Sequence, residues 1–286
     1  MRSPLDGLKV LELARVLAGP WAGQLLADLG AEVIKVESPI GDETRKWGED
    51  SFNNNSSYFK CTNRGKSSFV ANFKKKNELE MVQHLAKNAD VIIENYKVNN
   101  LKEYKLDYKN VKKINKSIIY CSITGFGQNG PLALLPGYDF VIQAMAGIMS
   151  ITGEKDGPPI KPGVAYADIF TSLYSVIAIQ AALHSRKKTG IGSFIDMSLY
   201  DTQLAVLANQ ASTYLLNGKE PKRMGNKHPS IVPYQLFEAK DGDIIIACGN
   251  DQQFKSLCIA FEWDYANSKK FSTNKKRIKN RIELIS

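Results

Sequence analysis

GLKVLELARVLAGPWAGQLLADLGAEVIKVE, Gly7 to Glu37, is the stretch on which the reading of the fold turns. Its two ends, LKVLEL and AEVIKVE, are short apolar runs, and between them a Gly/Pro turn opens into WAGQLLADLG, whose apolar positions recur at helical spacing. Pro20 suits a first helical turn, where a missing N–H costs nothing, and Gly30 suits the stop. The pattern predicts a β-α-β unit.

The same rhythm returns in ELEMVQHLAKNADVIIENY (Glu78–Tyr96) and in NVKKINKSIIYCSITG (Asn110–Gly125). Strands that alternate with helices pair in parallel and have both faces covered. The expected fold class is therefore α/β, a Rossmann-like parallel sheet with helices on both faces. Asp168 to Arg186 reads as a long, mostly buried helix closed by Lys187, Lys188 and Gly190, and GSFIDMSLYDTQLAVLANQASTYLLNG (Gly192–Gly218) as a strand entering a further helix. The pattern breaks into loop from Met224 to Pro233, and YQLFEAKDGDIIIACGN (Tyr234–Asn250) follows as an antiparallel hairpin turned at Asp241 and Gly242. This organisation predicts a large domain over 1–200, a linker helix over 201–225 and a smaller, incomplete α+β domain over 226–286.

Composition narrows the function. The 286 residues are 43% hydrophobic, enough for a sizeable core. No leader-like segment opens the chain and no apolar run approaches a membrane span, so a cytoplasmic protein with no membrane partner is expected. Of the net charge of +9, more than half falls within residues 264–286, where seven Lys or Arg face two acids. With no aromatic ladder beside it, this is a solvated basic end, and no nucleic-acid partner is expected. Cys61, Cys121, Cys248 and Cys258 are scattered, as are His84, His184 and His228, which predicts reduced thiols and no metal site.

CSITGFGQNGP (Cys121–Pro131) carries Gly125, Gly127 and Gly130 at the G-x-G-x-x-G spacing of dinucleotide folds. That fingerprint needs a helix opening at its third glycine and an acid some twenty residues on at a strand end. Here Pro136 stops any helix within about two turns. Glu154 and Asp156 lie in the turn GEKDGPP, and the first unit, which does end its second strand in Glu37, spaces Gly19 and Gly23 wrongly. Glycines that let a loop turn tightly explain the match better than a nicotinamide site.

Several segments together resemble the class III CoA-transferases: Leu5–Glu37, NRGK (Asn63–Lys66), ADVIIENY (Ala89–Tyr96), CSITGFGQNGP, GYDFVIQAMAG (Gly137–Gly147), GPPIKPGVAYADI (Gly157–Ile169) and KTGIGSFID (Lys188–Asp196), in family order. HPSIVPYQLFEAKDGDIIIACGNDQQF (His228–Phe254) is most similar to the subgroup that moves CoA among dicarboxylic acids, the succinyl-CoA:glutarate type. The resemblance implies that Asp168 is the nucleophile, attacking a donor thioester to give a mixed anhydride and then an aspartyl-CoA thioester. Substrates would be CoA thioesters and a small carboxylic acid, with no permanently bound cofactor. Read from its position alone, Asp168 is a helix N-cap, and a helix N-terminus would hold its pKa low.

The resemblance further assigns CoA binding to Arg15, Ala18, Lys74, Asn95 and Tyr96, and the acyl pocket to Tyr138. Gly249 and Asn250, in CGND, would belong to a loop closing over the site. Glu103, Pro136 and Ser38 stand where many members have cations, so Lys97 or Lys102 is expected to compensate. Arg15 or Lys161 would pair with the distal carboxylate of an acceptor. In the sister α-methylacyl-CoA racemases a His occupies the position of Tyr138, and a phenol of ordinary pKa is a poor base at neutral pH, which favours transfer. A noncatalytic CoA-binding product is the further alternative. In the family the chain leaves the large domain, builds the small one and returns, two subunits interlocking as a homodimer. The match here stops inside the small domain, so apolar surface is expected to lie open.

Overall fold

The computed structural model describes residues 3–48, 51–52 and 55–286. They form two compact units, Met1–Ile148 with Lys161–Asn217, and Met149–Ile160 with Gly218–Ser286.

In the first unit the strands are β1 (Lys9–Glu12), β2 (Glu32–Glu37), the two-residue antiparallel pair β3 (Ser51–Phe52) and β4 (Asn55–Ser56), β5 (Lys66–Val70), β6 (Val91–Glu94), β7 (Ile119–Thr124) and β8 (Ser193–Ser198). The helices are α1 (Ala18–Asp28), α2 (Ser57–Asn63), α3 (Lys76–Asn88), α4 (Tyr108–Ile114), α5 (Asp139–Met145), α6 (Ile148–Ile151) at the exit from the unit, α7 (Tyr166–Thr189), α8 (Leu199–Ala205) and α9 (Ala208–Asn217). Six strands build one sheet in the order β5-β2-β1-β6-β7-β8, every pairing parallel. The order runs outward in both directions from β1, so the switch point lies between β1 and β6. Loops leaving those strands at their carboxyl ends part there and leave a crevice.

Alternation along each strand sends side chains to opposite faces, and each face has its own core. Val10, Val33, Val91, Ile93, Ile119 and Cys121 pack with Ala18, Ala22 and Leu26 of α1 and Ile179, Ala182 and Leu183 of α7. Leu11, Val36, Ile92 and Tyr120 pack with Val82 and Ala86 of α3, Val111 of α4, and Leu101 and Leu106. Helices thus cover both faces, as the β-α-β pattern predicts. The AGPWAG glycines serve this packing. A Cβ on Gly19 would lie 2.2 Å from the Ala14 Cβ, and one on Gly23 would lie 1.9 Å from Glu12 Oε2, so α1 can lie this close to β1 only with glycine at both positions.

Helix α7 runs 24 residues and ends at Gly190, whose φ of 69° is the left-handed stop expected there. It also corrects the expectation that no stretch approaches a membrane span, since by length and composition alone α7 could cross a bilayer. Its buried side chains include Thr171, Ser172 and Ser175, whose hydroxyls donate to backbone carbonyls. The single helix expected after β8 divides into α8 and α9, with Ala208 at φ 48°.

The second unit holds the hairpin β9 (Tyr234–Ala239) and β10 (Gly242–Ala247), then α10 (Asp251–Ala260), α11 (Asn274–Lys279) and α12 (Arg281–Ile285). Its core is Cys248, Phe254, Cys258 and Phe271. Arg277 is fully buried beside it, donating to the carbonyls of Val232 (2.7 Å) and Phe271 (3.0 Å), pairing with Asp251 (2.8 Å) and stacking over Phe254. Such a cation is tolerable because two carbonyls, a carboxylate and an aromatic face surround it.

Candidate active site

A cleft opens at the switch point of the first unit. Arg15, Val16, Leu17 and Ala18 enter it after β1, Asn95, Tyr96 and Lys97 after β6, and Thr124 and Gly125 after β7. Pro136, Gly137, Tyr138 and Asp139 line its far side, and Asp168 at the start of α7 reaches into it. Six of the residues assigned from sequence, Arg15, Ala18, Asn95, Tyr96, Tyr138 and Asp168, therefore line one cavity although up to 153 positions separate them.

The loop from Ala14 to Leu17 is held from three sides. Asn95 accepts the Arg15 amide at 2.9 Å on Oδ1 and donates from Nδ2 to the Arg15 carbonyl at 2.7 Å, so its whole amide clamps one residue's backbone. The Lys35 ammonium donates to the Ala14 carbonyl at 2.7 Å while bridging Glu12 (3.1 Å) and Asp42 (3.0 Å). Asp42 in turn accepts the Val16 amide at 3.2 Å. These contacts hold Val16 at φ 69°, a left-handed conformation costly for a β-branched residue. Strain of this kind persists where surrounding contacts over-determine the backbone. Arg15 itself remains mostly exposed and pairs with Glu43.

Asp168 is the second point of construction. It sits in the first turn of α7 but does not cap it; Ala165 is the capping position and offers no side chain to do so. The cap comes from Asp139, whose Oδ1 accepts the amides of Ala167 (2.8 Å) and Asp168 (3.3 Å), while Oδ2 accepts from Gln143 at 2.7 Å. The expectation of a low pKa is corrected accordingly. Asp168 is buried, and desolvation followed by the negative charge of Asp139 pushes its carboxyl up to about 7. Burial also raises Asp139. The helix end cannot offset this, because its free amides already face Asp139. Ser172 locks the Asp168 turn to the Arg15 side: its hydroxyl lies 2.7 Å from the Asp168 carbonyl and 2.6 Å from the carbonyl of Ala18.

The glycine-rich loop is a spacer. A Cβ on Gly125 would stand 2.5 Å from the Gly137 Cα, and one on Gly137 would stand 2.3 Å from Gly125, so two backbones touch and bring Tyr138 and Asp139 to the cleft. The Gln128 amide, which a pyrophosphate would need free, is already bonded to Asp196 at 3.0 and 3.1 Å. Both features argue against a nicotinamide site.

Lys74 is exposed in the turn after β5, outside the cleft lining. Lys97 lines the cleft and Lys102 does not. Gly249 and Asn250 belong to the second unit, where the Gly249 amide donates to Gln253 Oε1 (2.7 Å) and Asn250 caps α10 through the Gln253 amide (2.8 Å). Among the described residues no His, Cys, Asp or Glu group is arranged to hold a metal ion.

Sequence reasoning overlooked Asp139 as the cap and missed Tyr58. The phenol of Tyr58 is driven up to about 12 by burial and then by the negative charge of Asp168, and its ring meets Trp47 edge-on at 5.1 Å. Nothing local in NNNSSYFKC announces this, since Tyr58 feels the charge of Asp168 only through tertiary packing.

The comparisons with known proteins agree with this geometry. The model of CoA-transferase family III matches residues 5–286. A succinate–glutarate CoA-transferase of Agrobacterium fabrum is 52% identical, over 99% of this chain and 73% of its own length. A succinyl-CoA:glutarate CoA-transferase of Mus musculus is 48% identical, over 99% of this chain and 65% of its own. The crystal structure of a CaiB/BaiF family protein from Brucella suis superposes with a TM-score of 0.88 at 55% identity, covering 100% of this chain and 77% of the other. The chain thus spans about two thirds to three quarters of the length of these relatives. With a parallel sheet split at its switch point and a buried aspartate set in that cleft, the chain belongs to CoA-transferase family III.

Proposed function

We propose that this chain carries the CoA-binding and nucleophilic half-site of an enzyme that moves CoA from an acyl-CoA, with succinyl-CoA as donor, to a small dicarboxylic acid. The single observation behind this reading is Asp168, a buried carboxylate set in the cleft that also receives Arg15, Ala18, Asn95, Tyr96 and Tyr138. Relatives named for succinate–glutarate exchange support the choice of acids.

Ionised Asp168 attacks the donor thioester carbonyl; the C–S bond breaks and CoA leaves as thiolate. The thiolate then attacks the aspartyl carbonyl of the mixed anhydride, releasing the donor acid and leaving an aspartyl-CoA thioester. The acceptor carboxylate repeats the first step on this thioester, and CoA thiolate, attacking the acceptor's carbonyl, gives the product and frees Asp168. Each step exchanges one activated acyl bond for another, so no ATP and no resident cofactor is required. Burial raises the pKa of Asp168 and so makes its ionised oxygen more basic, and a dry cleft shields the anhydride from hydrolysis.

Asn95 acts in this scheme by fixing the Arg15 loop, while Lys97 stands in the lining as a cation for CoA phosphate. Tyr138, 63% exposed, forms one wall of the acyl pocket. Lys161 is the better partner for an acceptor's distal carboxylate, because its charge is felt by Asp139 whereas Arg15 is engaged by Glu43. Exposed Phe140, Val141, Met145 and Ile177 on α5 and α7 suit burial against a second subunit in a homodimer. The test is an exchange assay between succinyl-CoA and labelled glutarate: transfer by the wild-type protein that disappears in Asp168→Asn supports the reading, and undiminished transfer by the variant removes it.

A further inference from the structure

We propose that Glu94 is a positioning residue that sets the width of the cleft by tying the loop after β6 to the loop after β7. The inference rests on the CoA-binding reading of the cleft and adds to it a residue that touches no substrate.

In the sheet register Glu94 pairs with Ser122, and Ser122 with Asp196, so three polar residues stand side by side on β6, β7 and β8. Glu94 ends β6, and Ser122 and Asp196 each lie two residues before the carboxyl end of their strand. Glu94 Oε2 accepts the amide of Tyr96 at 2.8 Å. Ser122 stands directly beside Glu94 on the neighbouring strand, and its hydroxyl accepts from Gln128 Nε2 at 2.9 Å. The Gln128 amide then reaches Asp196 at 3.0 and 3.1 Å. A line of polar neighbours therefore runs from Tyr96 through Glu94, Ser122 and Gln128 to Asp196 on three adjacent strands.

The line is buried. Glu94 is 6% exposed and Ser122 is 1% exposed, and no cation contributes to the environment of Glu94, whose carboxyl burial drives up to about 7. An apolar side chain would fill the end of β6 at lower cost. What Glu94 supplies is connection. Tyr96 stands on one wall of the cleft, and the loop carrying Gln128 begins at Gly125, whose backbone abuts Gly137 beside Tyr138 and Asp139 on the other. Because Asp139 also caps the helix of Asp168, a shift of this loop would be felt at both CoA and nucleophile.

The test uses the full chain and free CoA as the probe, titrated by calorimetry. Glu94→Ala, which leaves the Tyr96 amide and Ser122 unmatched, is expected to weaken CoA binding about tenfold. Glu94→Gln keeps an acceptor for the Tyr96 amide and a polar partner for Ser122, and is expected to stay within about twofold of wild type. Gln128→Ala breaks the line at its accessible end, should weaken binding about threefold, and carries the test if Glu94→Ala does not fold. Wild-type affinity in both alanine variants, or equal loss in Glu94→Gln and Glu94→Ala, overturns the positioning role. A wild-type protein that binds no CoA overturns instead the reading on which the role depends.

Discussion

Asp139 Oδ1 accepts the backbone amide of Asp168 at 3.3 Å, so one carboxylate caps the helix turn that presents the other. The arrangement leaves the Asp168 carboxyl without the helix-end amides that would hold it ionised, and desolvation dominates its titration. On the proposed mechanism, catalytic competence and fold stability are consequently opposed at this residue.

Asp168→Asn removes a group that is ionised only at a cost in its buried setting, while leaving its volume and the Asp139 cap intact. Exchange activity should fall by at least about a thousandfold, whereas Tm at pH 8 should rise by about 2–6 °C. Calorimetric melting beside the exchange assay checks both, and a lower Tm at pH 8 would contradict the desolvation argument.

The pH dependence follows in sign. As the proposed nucleophile, Asp168 must be ionised, and burial holds its carboxyl at about 7, so the rate of the first acyl transfer should rise with pH through about 7. Stability runs the other way. Between the ordinary carboxylate range and 7 the folded state holds a proton on Asp168 that the unfolded state has lost, so this residue's contribution decreases as pH rises across that window. Single-turnover rates and melting curves from pH 5 to 9 read both limbs; in Asp168→Asn this component of the stability profile should be absent.

Asp139→Ala takes away a negative neighbour and frees the amides of Ala167 and Asp168. Both changes favour the ionised form of Asp168, and the acid limb of the rate profile should move down by about one pH unit. Loss of the cap should cost about 1–2 kcal/mol of stability. An unmoved limb would mean that Asp139 does not govern the titration of Asp168.

Asn95→Ala deletes the two bonds that clamp Arg15, at 2.9 and 2.7 Å. With Val16 already strained, the loop should relax, stability should drop by about 1–3 kcal/mol, and affinity for CoA should fall. Denaturant titration and CoA calorimetry on the same samples test this, and unchanged affinity would remove Asn95 from the site.

Gly125→Ala would force a Cβ to 2.5 Å from the Gly137 Cα. Overpacking of two backbones should cost about 1–3 kcal/mol and displace Tyr138 and Asp139. Gly130→Ala has open space around its Cβ, and its strain comes only from a φ of 97°, so the milder loss is expected there. Equal losses would show that the contact with Gly137 costs no more than the backbone strain at Gly130.

The sheet was legible because its information is local. Gly7–Glu37 states strand, turn, helix and strand in one run, and the repeats at Glu78–Tyr96 and Asn110–Gly125 fix the parallel sense. Asp168 and the Arg15 loop were found through family resemblance, since an aspartate at the head of a helix otherwise reads as a cap. The titration of Asp168 was misjudged because the true cap, Asp139, lies 29 positions away, and no local pattern shows which of two acids takes the amides. Tyr58 and the line from Glu94 to Asp196 escaped for a related reason: each depends on strand register or helix packing between segments far apart in sequence.

The most direct measurement of the central claim is to incubate the protein with succinyl-CoA, trap with hydroxylamine or borohydride, and map the modified peptide by mass spectrometry. The account predicts a label on the Asp168 side chain that needs succinyl-CoA and vanishes when Asp168 is replaced by Asn. A label on another residue, or CoA exchange that proceeds in the Asn variant at the wild-type rate, would contradict it.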